Sequence, residues 1–477
     1  MGKVVIDVWV PDNTFPGWMD RWYKFGADFE KRHPEYTVKV TATSFWNAPL
    51  EVAQAAAQGN PPAVSELYSY LGQSARDMTQ QDGSPLFTSL EKAIDGRTEI
   101  SGEPVVAGDV IAPFRDYFSH QGELFSMPSV GTTSVLFANT RLLEAAGITR
   151  LPETWDEVTA ACETLAGAKN APRYPITWAN HAMLFQQALA TQGGQLVNND
   201  NGRGGRATRI ELASKEMLSW VEWWRQLHRD GHYLHNSAIP GWMEGFAPFA
   251  EQQVALRLSS SNDINYTLRA AEGAGFDLAV GVFPFNDRVP YAGNHVAGTS
   301  LWLTHGLDRA TEDGALAFIQ FLHGTRNAAD RHKDNSFIPM TYGAFELLES
   351  EGWFAEHPYH RVGSDQLHGV PAKATPAAVG VPKARGGVFG NFAGVQDVMN
   401  RAAKDVLETD VDPADRFTAA TREAQGLLDD YNAWATGPAP RDPDAAPHSS
   451  LKVEHYAGVV AGKDYGGRDL ERIVRKD

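Results

Sequence analysis

"VVIDVWVP", residues 4–11, is a short apolar run, consistent with a buried strand. The stretch after it, "WMDRWYKFGADFEKRHPEY" (18–36), has helical spacing and stops at Pro34. "TVKVTATSF" (37–45) alternates, so it predicts a second strand. "LEVAQAAAQGN" (50–60) predicts a helix ending at Gly59-Asn60, and "PPAVSELYSY" (61–70) a third strand. This β-α-β-α-β opening is the signature of a parallel α/β sheet with helices on its faces.

Further along, "ELFSMPSVGTTSVLFAN" (123–139), "FDLAVGVFPF" (276–285) and "VAGTSLWLT" (296–304) are strand-like, and "FAEQQVALRLSSS" (249–261) runs from a helix end through a strand to a serine turn. Strong helical patterns cover 211–229, 313–324, 392–408 and 413–434. "ATGPAPRDPDAAPHSS" (435–450) is rich in Pro, Asp and Ala and reads as a linker.

A chain of 477 residues has room for two domains or two large lobes. Its 43% hydrophobic and 21% charged residues are ordinary for a globular protein. The formal charge of −17 repels nucleic acid and anionic membranes, so polyanion partners are not expected. An anionic ligand would need a local positive pocket to hold it against that field. The single cysteine, Cys162, cannot form an internal disulfide and reads as a small core residue. No apolar run approaches a membrane span. The opening "MGKVVIDVWV" moves straight into a strand, as a chain does when its export signal has been trimmed.

Chemical motifs are sparse. His228 and His232 have i,i+4 spacing, but Gly231 interrupts the helix and no HExxH pattern accompanies them, which favours a solvated helix end. "GTTS" (131–134) and "SSSND" (259–263) carry hydroxyls without a GxSxG elbow, so they read as hydrogen-bond donors rather than nucleophiles. No P-loop and no GxGxxG opens a βαβ unit. "KARGGVFGN" (383–391) leads into a helix. It either holds an anion through Arg385, the Gly-pair backbone and an Asn391 cap, or simply starts the helix.

Four stretches together resemble the extracytoplasmic solute-binding proteins of bacterial ABC importers, carbohydrate-type family: "AAAQGNPPAV" (55–64), "FANTRLLEAAGITRLPETWDEV" (137–158), "FAEQQVALRLSSS" (249–261) and "GTSLWLTHGLDRATEDGALAFIQFL" (298–322). Within that family, "NSFIPMTYGAFELLESEGWFAEHP" (335–358), "VAGTSLWL" (296–303) and "GGVFGN" (386–391) are similar to the UgpB-like branch, which binds glycerol 3-phosphate and glycerophosphodiesters.

The resemblance implies a two-lobed periplasmic-binding-protein fold (type II, α/β), with the ligand in a cleft between lobes. It implies residues 1–137 with 303–340 in one lobe, 138–302 with 341–435 in the other, a linker at 436–450 and an unassigned tail at 451–477. The crossings are expected near 135–140, 300–304 and 338–342. The implied function is capture of a glycerophosphodiester, glycerophosphocholine first, for a membrane permease. The alternatives are a di- or oligosaccharide or glycerol 3-phosphate. The implied protein is a monomeric, non-enzymatic, extracytoplasmic binding protein, periplasmic or lipid-anchored, without cofactor or metal. An enzyme such as a phosphodiesterase would need metal-ligand clusters or paired carboxylates that the sequence does not display.

Carried over position by position, the branch's contacts fall on Phe45 or Trp46, Thr132, Trp178 or a neighbour, Ser260 or Ser261, Gly298 and, near the C-terminal side, Phe354. Two positions depart from the branch. Its usual acidic residue is Ser69 here, and the arginine of its "GLRLGN" is Val388, leaving Arg385 as the nearest guanidinium. That loss favours a diester monoanion over a monoester dianion, with tryptophan faces for the choline.

Overall fold

The computed structural model describes residues 2–12, 18–44, 48–235, 245–378 and 385–447. The chain begins in the first lobe with β1 (Val4–Pro11), α1 (Trp18–Arg32), β2 (Tyr36–Thr43) and β3 (Val64–Tyr68), followed by α2 (Gly72–Asp77), α3 (Ala112–Phe118) and β4 (Met127–Thr132). It crosses once and builds the second lobe from β5 (Ser134–Asn139), α4 (Trp155–Ala166), β6 (Tyr174–Trp178), α5 (Ala182–Thr191), α6 (Lys215–Arg229), β7 (Val254–Ser260) and β8 (Leu278–Val282). It returns as β9 (Ala297–Thr304), α7 (Arg309–His323), α8 (Thr325–Asn335) and α9 (Tyr342–Ser350). A last crossing leads to α10 (Tyr359–His368), α11 (Phe392–Glu408) and α12 (Pro413–Ala435).

The first sheet has the order β2-β1-β3-β9 with Phe87–Thr88 at its edge, and β4 also pairs with β9. β1 is parallel to β2 and β3, as the opening pattern predicts, while β9 is antiparallel to β3 and β4. On β1, Ile6, Val8 and Val10 point inward, and α1 meets them with Trp22, Phe25 and Phe29 at helical spacing. Each such buried side chain contributes about 1.5–3 kcal/mol. The second sheet has the order β6-β7-β5-β8. β5 and β7 are buried along their whole length, which is why "SVLFAN" and "VALRLSS" lack alternation. Thr154 and Glu157 form the capping box that starts α4. Cys162 lies in this lobe's core, where burial pushes its thiol pKa up.

The lobe boundaries differ from those the sequence implied. Residues 297–302 belong to the first sheet, because β9 pairs only with first-lobe strands. Residues 342–356 also stay with the first lobe: Ala344, Leu348 and Phe354 pack on Ala328 and Ala329 of α8. The crossings therefore lie between Thr132 and Ser134, between Val282 and Ala297, and between Glu356 and Tyr359. The described part of the linker, 436–447, lies on the first lobe: Gln54 Nε2 donates to Asp444 Oδ1 at 2.8 Å and Arg441 N to Thr79 Oγ1 at 3.1 Å. The tail at 451–477 lies outside the described residues.

Candidate ligand-binding cleft

The first crossing brings hydroxyls of both lobes together. Thr132, at the end of β4, places Oγ1 within hydrogen-bonding distance of Ser260 Oγ, and 2.8 Å from Ser261 Oγ, where β7 ends. Next to them a buried amide network ties the crossings to each other. Thr133 Oγ1 donates to His295 O at 2.9 Å, Gln187 Nε2 to Asn294 Oδ1 at 2.7 Å, Asn294 Nδ2 to Gln366 O at 2.7 Å, and Gln366 Nε2 to Ser134 O at 2.8 Å. Thr132, Ser260 and Ser261, which the resemblance implied as ligand contacts, are brought together at this crossing.

A separate narrow seam lies between the lobes. Ser69, Arg76, Tyr117, His120, Ser126 and Trp302 of the first lobe face Gly202, Arg203 and Val388 of the second. With the lobes in contact its free volume is only about 10 Å3. The seam is rich in donors. Arg203 Nη1 donates to Gly386 O at 2.7 Å, while its Nε and Nη2 are buried and unpaired. His120 Nδ1 and Trp302 Nε1 are likewise buried without a partner. Arg76 Nη2 donates to Gln73 Oε1 at 2.9 Å. Burial pushes the Arg76 guanidinium down to about 10, and burial, then Arg76 itself, push His120 down to about 4. No carboxylate lines the seam among the described residues.

The loop that carries Arg203 is built by its own sequence. In "NNDNG" (198–202), Asn199, Asp200 and Asn201 all adopt the left-handed conformation, which Asn and Asp tolerate best. Asn201 Oδ1 accepts from Leu196 N at 3.0 Å and Val197 N at 3.2 Å, closing the turn. Gly202 follows at φ +87, and a Cβ there would fall 1.8 Å from Val388 O. Val388 N in turn donates to Asn201 O at 3.0 Å. The "RGGVFGN" segment thereby fixes the arginine loop, and Arg203 lies over the Tyr117 ring at 4.5 Å.

A larger cavity of about 210 Å3 lies at the other side of α3, lined by Ala112, Asp116, Tyr291, Asn294, His368 and Arg385 among others. Here Arg385 Nη1 is 2.7 Å from Asp116 Oδ2, so its charge is already paired across the lobes. Asn391 takes the N-cap position of α11 with φ +53.

Of the other implied site residues, Ser69 lines the donor-rich seam. Gly298 pairs with Gly131, and at φ +138 a Cβ would stand 1.9 Å from Val130 O; its glycine serves close strand approach. Two residues are placed away from the cleft. Trp178 ends β6 pointing into the second lobe's core, 2% exposed, with its ring 5.5 Å from Trp223 and 5.3 Å from Trp220. Phe354 packs in the first lobe, 4.9 Å from Phe345. Trp46 and Phe45 lie outside the described residues. Arg76, Arg203 and His120, which line the seam, were not among the residues the sequence singled out. The visible signal was "GRGGR" (202–206), a glycine-rich arginine loop like the one at 385–387.

The bacterial extracellular solute-binding protein family matches residues 24–360. The chain belongs to that family. It is 23% identical over 429 residues to the sn-glycerol-3-phosphate-binding periplasmic protein UgpB of Salmonella typhimurium, covering 87% of this chain and 92% of that protein. Among solved structures it is similar to the GacH receptor of Streptomyces glaucescens, solved unliganded and with acarbose or an acarbose homolog: TM-score 0.69, 17% identity, 90% of this chain and 100% of that one. It is also similar to UgpB of Mycobacterium tuberculosis in complex with glycerophosphocholine, with TM-score 0.64, 20% identity and coverage of 91% and 100%. Family membership makes the chain an extracytoplasmic solute-binding component of an ABC importer, a binding protein rather than an enzyme. Among the described residues, no helix is long and apolar enough to cross a membrane.

Proposed function

We propose that the protein captures a glycerol phosphate ester between its lobes, glycerophosphocholine being the first to test, and delivers it to the membrane permease. The observation that carries this reading is the interlobe seam, whose Arg76, Arg203, Ser69 and Trp302 offer donors and whose described lining holds no carboxylate. Hydroxyl and guanidinium donors suit phosphate oxygens. A neutral oligosaccharide calls for carboxylates and amides as acceptors for its many hydroxyls, on aromatic platforms. The UgpB relatives, which span most of both chains, support the same class.

The choline part stands on less than the sequence suggested, because Trp178 is in the core and Arg385 is paired with Asp116. The cavity at Tyr291 and Asn294 is the space nearby for a head group. Calorimetry with glycerophosphocholine tests the function: one-to-one binding without consumption of the ester is expected, and absence of any binding to glycerol phosphate esters overturns it.

A further inference from the structure

We propose that Arg76 and Arg203 form a two-sided phosphoryl subsite, one guanidinium from each lobe, with His120 and Ser69 completing it. This rests on the ester reading above and names the groups that hold the anion.

Arg76 sits on α2 of the first lobe and Arg203 in the left-handed loop of the second, and both line the same seam. Neither has a carboxylate partner among the described residues, although other interlobe arginines do: Arg206 pairs with Asp77 and Arg385 with Asp116. Arg203 leaves two buried N–H groups unused, and Trp302 Nε1 and His120 Nδ1 add two more unpaired ring nitrogens. Burial pushes both guanidinium pKa values down, Arg76 also being opposed by Arg203 although Asp77 draws it the other way. Buried guanidiniums with orphaned donors are unfavourable by themselves. A phosphoryl group admitted as the lobes part relieves this cost: its oxygens accept from the guanidinium forks and from the unpaired ring nitrogens, and its charge suits two cations. Two guanidiniums supply charge enough for a monoester dianion as well as a diester monoanion.

The test is calorimetry of the full chain and its Arg76→Gln and Arg203→Gln variants against glycerol 3-phosphate, glycerophosphocholine, inorganic phosphate and maltose. Arg288→Gln, an exposed charge-matched change on the second lobe, is the control. Each seam variant should lose roughly 10–100-fold in affinity for phosphate-bearing probes, as expected for charge-assisted hydrogen bonds. The ligand-free melting temperature should stay level or rise, because an unpaired buried charge is removed; a merely structural arginine would lower it. Equal affinity of wild type and seam variants for an ester overturns the subsite and leaves the ester reading intact. Binding of inorganic phosphate but no glycerol ester, lost in the variants, upholds the subsite and overturns the ester reading. Binding of maltose alone overturns both.

Discussion

Arg206 of the second lobe grips Asp77 of the first in a forked contact, Nη1 2.9 Å from Oδ2 and Nη2 2.5 Å from Oδ1. Asp77 also accepts from Tyr431 Oη and Gln73 Nε2, each at 3.0 Å, and is almost fully buried. Replacing Arg206 by Ala leaves a buried carboxylate with weaker partners. The expected loss is about 1–3 kcal/mol, read by denaturant unfolding. An unchanged midpoint would mean that the contact adds nothing between the lobes.

Trp178 stacks on Trp223 inside the second lobe and packs against Trp220, Trp224 and Tyr233. Trp178→Ala should destabilise the fold by about 3–5 kcal/mol. The milder Trp178→Phe should leave affinity for glycerophosphocholine and glycerol 3-phosphate within about twofold. A selective loss for the choline ester would return Trp178 to the ligand.

Gly202 holds φ +87 against Val388 O. Gly202→Ala is strained on both counts and should cost well over ~1 kcal/mol. It should also weaken ester binding, because Arg203 is the next residue. Retained stability with retained binding would show that the loop adapts freely.

Burial lowers the pKa of several histidines: His181, His323 and His360 to about 4, and His295 and His332 to about 3. Their folded values lie below the ordinary value near 6.5, so the folded state binds fewer protons. The stability they permit is complete above about pH 6.5 and is lost as pH falls towards 4. Between pH 7 and 4.5 the melting temperature should drop on the order of 10 °C. His295→Asn should flatten that dependence, and an unchanged slope would show that His295 does not contribute.

The alternation of apolar and polar residues made the parallel opening of the first sheet legible, and family-like stretches extended the fold to both lobes. The crossings were displaced because β9 and α9 look equally at home on either lobe; only pairing and packing partners assign them. The hydroxyls at 132, 260 and 261 sit at or next to strand ends, where the sequence pattern places them, and tertiary structure joins them across the crossing. Trp178 and Phe354 were misplaced because an aromatic at a strand or helix end points inward or outward according to tertiary packing. Arg76 and Arg203 could not be read together, because a helix and a loop 127 positions apart bring them to one seam (203 less 76). Arg385 is paired with Asp116, which is more remote still in sequence.

The most direct measurement is a thermal-shift comparison of the intact chain with glycerophosphocholine, glycerol 3-phosphate, maltose and trehalose at matched ionic strength. A ligand bound only by the native state raises its stability by about 2.7 kcal/mol at a hundredfold excess over Kd. The expected result is a rise with one or both phosphate esters and none with either disaccharide. A rise confined to a disaccharide contradicts capture of a glycerol phosphate ester.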